Sequence, residues 1–114
     1  MRFLVVVFSA LICVSVSAEP RYSQSQSDAR CRDVMKVAES VMYSRQNGVP
    51  MRKSLEVLDE FFNLPKDRST YDSAQQMVIE AYEEPYYHTD KLKILIINEF
   101  SALHYRACMD FNSK

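Results

Sequence analysis

The sequence predicts an all-α protein, a small up-down four-helix bundle closed by one disulfide. Three observations predict it. Apolar residues recur every three or four positions in four separate stretches, with no alternating β-branched runs and no hairpin turn pairs. Proline, glycine and clustered charge interrupt the pattern between the stretches and leave only short links. Cys31 and Cys108 stand near the start of the first stretch and the end of the last, and an antiparallel arrangement of four helices makes those ends neighbours.

The chain opens with Arg2, an apolar run over residues 3–16 and the small-residue site Val16-Ser17-Ala18. That is the layout of a secretory signal peptide, residues 1–18, with cleavage before Glu19. The alternative is a retained anchor, but the run is shorter than the roughly 20 residues a span needs. Ile12 before Cys13 argues against lipoprotein processing at that cysteine. Without residues 1–18 the 114-residue chain keeps 96 residues, 13 basic and 15 acidic. A balance so near neutral gives no case for nucleic acid or an anionic membrane surface, and no stable membrane insertion is expected after cleavage. The length allows one domain with one modest core. An even pair of cysteines in an exported chain reads as a Cys31–Cys108 disulfide; two separate thiols are the alternative. The expected location is periplasmic or secreted.

In order, residues 19–27, with the polar run RYSQSQS, read as a flexible tail, and residues 28–112 as the helical domain. The first helix starts with Ser27 or Asp28 as cap, buries Cys31, Val34, Met35, Ala38, Val41 and Met42, and stops at Asn47-Gly48. Pro50 suits the first turn of the second helix, whose stripe is Met51, Leu55, Leu58 and Phe61/Phe62. Residues 63–68 break the pattern. A capping box at Ser69-Thr70-Tyr71-Asp72 opens the third helix, which buries Tyr71, Ala74, Met77/Val78, Ala81 and Tyr82 and closes at Glu83-Glu84-Pro85. Thr89 caps a fourth helix over residues 89–111. About 22 residues make it roughly 33 Å long, and it reads as the spine. Leu92, Ile96, Phe100, Leu103 and Ala107 are expected on its buried face, widened by Ile94, Leu95 and Ile97.

Chemistry-bearing patterns are few. The chain has no glycine-rich phosphate loop, no G-x-S-x-G elbow and no H-E-x-x-H helix. His88 and His104 stand sixteen apart and read as surface or half-buried polar residues; the alternative, a metal site, would need further ligands such as Asp90 or Glu84. The acid pairs Asp59/Glu60 and Glu83/Glu84 are adjacent, about 100° apart on a helix, and read as solvated faces. No catalytic residue, metal or cofactor is expected, and the chain is read as a non-enzyme. Residues 81–88, AYEEPYYH, stand out with three tyrosines, two acids, a proline and a histidine. Tyrosine combines contact area with a polar tip, which suits interfaces. Glu83, Glu84, Tyr86, Tyr87 and His88 are therefore the candidate partner-binding residues. The alternative places Tyr82 in the core and packs Tyr86 and Tyr87 under the turn.

CRDVMKVAESVMYSRQNGVPM, MVIEAYEEPYYHTD and the closing HYRAC together resemble a group of small exported helical proteins of Gram-negative bacteria and their phages. The matching positions are Cys31, the R-Q-x-G turn at Arg45, Gln46 and Gly48, the A-Y-x-x-P segment at Ala81, Tyr82 and Pro85, and Cys108. In plan the chain is also similar to periplasmic immunity proteins that block type VI secretion amidase toxins. That similarity is one of architecture and carries over no inhibitory residue. It implies a periplasmic protein-binding or inhibitor module, in concrete form an immunity protein against a cell-wall-targeting effector, with a protein partner and with a homodimer compatible with it. The alternative function is a phage or prophage envelope accessory protein acting in superinfection exclusion or lysis control.

Overall fold

A computed structural model describes residues 23–61 and 68–113. Within them lie four helices: α1 (Gln24–Gln46), α2 (Met51–Phe61), α3 (Arg68–Glu83) and α4 (Asp90–Asn112). The all-α bundle predicted from the pattern is the fold, and Cys31 and Cys108 are joined in a disulfide with Cα atoms 5.6 Å apart.

α1 begins earlier than expected. Ser23 is its cap: the Ser23 hydroxyl accepts from the Gln26 N–H, and the Gln26 side chain accepts from the Ser23 N–H. That reciprocal capping box satisfies two amides that a helix start otherwise leaves open. Residues 24–27, read as tail, are therefore helical, and Ser27 is buried. Residues 1–22, which include the expected leader and the rest of the expected tail, lie outside the described residues.

The other end of α1 follows the expected stop. Gly48 takes φ +77°, its N–H bonds the Arg45 carbonyl, and the Val49 N–H reaches back to Ser44 O. This is the six-to-one, five-to-two pattern of a Schellman cap, with its left-handed residue supplied by the chain's single glycine. Pro50 then stands just before α2, its carbonyl accepting from the N–H groups of Lys53 and Ser54. The expected cap at Ser69 is not there. A cap must stand outside the helical run, and Arg68 already lies within α3. Phe62 and residues 63–67 lie outside the described residues. Thr89 does cap α4, accepting from the Leu92 N–H, with Asp90 in the first turn beside the helix dipole's positive end.

α1 is the hub. It packs along α4 antiparallel, and it also meets α3 and, slightly, α2; α2 leans mainly on α3. The core gathers Ala38, Val41 and Met42 of α1, Leu58 of α2, Ala74, Met77, Val78 and Ala81 of α3, and Phe100 of α4. The stripe expected for α3 is the one that packs, and so do Met51, Leu55 and Leu58 of the stripe expected for α2, while the Phe61 and Phe62 side chains lie outside the described residues.

The face expected for α4 is not the buried one. Phe100 is buried and Ile96 packs beside the core, but Leu92, Leu103 and Ala107 are exposed, and so are Ile94 and Leu95. The inward side instead runs through Ile97, Phe100, Ser101, His104 and Cys108, spaced three or four apart. The cause is the number of neighbours. α4 has essentially one, α1, so a single flank suffices and its remaining apolar residues face water.

The α1–α4 pair is fastened at both ends. At the bridge end, Asn112 Nδ2 lies 3.4 Å from Cys31 Sγ, and Tyr105 donates from its hydroxyl to the Asp28 carboxylate, which also meets Arg32. The Tyr105 hydrogen bond, aided by the Arg32 charge, holds the Asp28 carboxyl below its ordinary value against a smaller opposing effect of burial. The same bond pushes the Tyr105 hydroxyl up.

Candidate functional site

The end of α3 and the connector to α4 carry the predicted partner-binding residues, and α1 determines the connector's shape. Gln46, the last residue of α1, has no exposed surface. Its Nε2 donates to the Pro85 carbonyl at 2.9 Å, and its Oε1 accepts from the Tyr87 N–H at 3.0 Å. Next to it, Arg45 Nε donates to the Glu84 carbonyl at 3.1 Å. Two consecutive α1 side chains thus satisfy three backbone groups of a segment that has no helix of its own to satisfy them.

The α1–α2 turn is tied to the same place. Tyr82 donates its hydroxyl to the Val49 carbonyl at 2.6 Å, and with that proton committed Ser54 must be the donor in its 2.9 Å bond to Tyr82. The Arg45 guanidinium lies 5.4 Å from the centre of the Tyr82 ring. The two sequence patterns R-Q-x-G and A-Y-x-x-P, joined by bonds between residues 39 positions apart, are therefore the two halves of one latch.

On this support the five predicted residues divide. Tyr86 is 41% exposed, with His88 edge-on at 5.4 Å between ring centres and Lys93 Nζ both 4.7 Å over the ring and 3.2 Å from the hydroxyl. Tyr86, His88 and Lys93 form one cluster. Tyr87 is half-buried and fixed by its backbone to Gln46. Glu84 enters through its carbonyl, while Glu83 is exposed at the end of α3. The structure brings the aromatic residues and the latch together; it does not bring the two acids into the Tyr86 cluster.

Sequence reasoning missed the exposed apolar residues at the start of α4. Leu92 and Leu95, one turn apart at the start of α4, are 42% and 50% exposed. A signal for this was present. Glu99 and Arg106 follow Leu92 at seven and fourteen positions, so they share its face, and two exposed charges there mark it as solvent-facing.

Elsewhere, His104 Nε2 lies 3.2 Å from Glu80 Oε2 without hydrogen-bond alignment, and its ring packs on Phe100 with centres 4.5 Å apart. Among the described residues no group of three or more His, Cys, Asp or Glu side chains gathers to hold a metal ion, and no helix is long and apolar enough to cross a membrane. Comparison with protein-family models, with curated proteins and with solved structures finds no match.

Proposed function

We propose that the chain is an exported protein-binding module that acts by occluding its partner, in concrete form an immunity protein against a cell-wall-targeting effector. One observation carries it: Tyr86 on the α3–α4 connector and Leu92 and Leu95 at the start of α4 stand exposed, and Arg45 and Gln46 hold the connector's backbone in place. Exposed apolar residues on one helix face are a common mark of interaction sites, and an exposed tyrosine is a frequent anchor. Fixing the connector in advance removes part of the ordering cost of association. The leader-like first 18 residues and the Cys31–Cys108 bridge support export to an oxidising compartment.

The test uses the disulfide-bonded chain as bait in periplasmic extract, followed by a peptidoglycan-digestion assay on the captured partner. The wild-type chain should form a stable complex and suppress digestion. Leu95→Asp and Tyr86→Ala should each weaken the complex by roughly fivefold or more while leaving the thermal melt in place, since both side chains are solvent-exposed. Undiminished binding in both variants contradicts the proposal.

A further inference from the structure

We infer that the groove between α1 and α2 is a binding site for a single-chain aliphatic carboxylate. The groove has a volume of about 290 Å³ and is walled by Val37 and Val41 of α1, Val57 and Leu58 of α2, and Val49 of the turn between them. It exists because α2 leans on α3 and only slightly on α1, which leaves the flanks of both helices unpaired along their length. Val57 is 43% exposed as a result.

Its polar groups are selective. Lys36 and Lys53 line it, and among the described residues no carboxylate does. The hydroxyl of Ser54 is already engaged with Tyr82. Such a surface attracts an anion and an alkyl chain together, and it repels a cation of the same shape. The lysines stand at opposite ends. Lys53 is three residues beyond the α1–α2 turn, whereas Lys36 lies on α1 eight residues before Ser44, roughly 12 Å along the helix. An extended alkyl chain can lie along α1 over Val37 and Val41 with its head group at one lysine. Lys53 already shares its charge with Glu56 at 3.9 Å, so Lys36 is the stronger anchor. The volume lies near the lower end for small-molecule clefts, about 300 Å³, which suits one chain and excludes a folded segment. The site is independent of the Tyr86 surface.

Decanoate titrated into the disulfide-bonded chain, followed by amide chemical shifts, tests it. Saturable one-to-one binding is expected, with shifts concentrated at Val37, Val41 and Val57. Lys36→Glu should weaken it roughly tenfold, as expected for loss of a charge-assisted contact, and Lys53→Glu should weaken it less. Both side chains are exposed, so the fold should survive. Val57→Trp should block the groove, and decyltrimethylammonium should bind far more weakly than decanoate. Equal binding of the cation, shifts centred on Leu92 and Leu95, or binding to anionic phospholipid vesicles without binding of monomeric decanoate would each overturn the inference. So would a stable dimer that Lys36→Glu dissociates, because the groove would then hold a second copy.

Discussion

Gln46→Ala is the perturbation that separates a latch from an incidental contact. The substitution removes the donor to the Pro85 carbonyl and the acceptor for the Tyr87 N–H, and Gln46 is fully buried, so water does not replace them at the native geometry. Each backbone group left unsatisfied costs about 1–3 kcal/mol. The emptied space adds to that, since a buried side chain loses its packing as well. The expected total is about 3 kcal/mol, which for a domain under 100 residues lowers the melting temperature by roughly 15 °C. Thermal unfolding followed by far-UV circular dichroism reads this directly. Hydrogen exchange supplies the second readout: the Tyr87 amide should lose protection by more than the global destabilisation accounts for. Arg45→Ala, whose bond to the Glu84 carbonyl is only part-buried, should cost less, about 1 kcal/mol. A Gln46→Ala melt within about 3 °C of wild type, with Tyr87 still protected, would refute the reasoning.

Cys31→Ser and Cys108→Ser should each cost about 4 kcal/mol in chemical denaturation and by similar amounts, because either removes the same cross-link over a separation of 77 residues; clearly unequal losses contradict this. Gly48→Ala should cost about 1 kcal/mol, although its Cβ would meet nothing within 4 Å, because φ +77° disfavours any side chain; an unchanged denaturation midpoint contradicts it. The Asp28–Tyr105 bond should give stability a two-sided pH dependence. Asp28 is held below its ordinary 3.8, so its contribution is present above that value and is lost as pH falls through the lower folded value. Tyr105 is raised above its ordinary 10.0, so its contribution is present below that value and is lost as pH rises through the higher folded value. Tyr105→Phe should flatten both limbs in melts recorded across pH, and unchanged limbs would place their origin elsewhere.

Much of the fold was legible because its signals are local. The Asn47-Gly48 stop, the Thr89 cap and the α2 and α3 stripes each depend on neighbours within a turn or two. The disulfide was legible because helix count and direction suffice to bring Cys31 and Cys108 together. The start of α1 was hidden by composition: RYSQSQS reads as a low-complexity tail, yet Ser23 and Gln26 within it stand at capping-box spacing. The burial of α4 was not legible from periodicity. A repeat of apolar positions says how a helix can divide into faces, not how many neighbours will cover them, and α4 has more apolar residues than α1 can cover. The latch was half visible. Arg45-Gln46 and Tyr82/Pro85 stood out as patterns, but that they meet is a property of the folded chain.

The central claim is that a partner protein docks on the surface formed by Tyr86 and the start of α4. Site-specific photo-crosslinking in living cells tests it most directly, with benzoylphenylalanine placed in turn at Tyr86, at Leu95 and, as a control, at the exposed Arg32 at the opposite end of the α1–α4 pair. A protein adduct of one discrete mass from positions 86 and 95, and none from 32, is the predicted result. Adducts from position 32 alone, or from none of the three in cells where the chain is stably expressed, would contradict it.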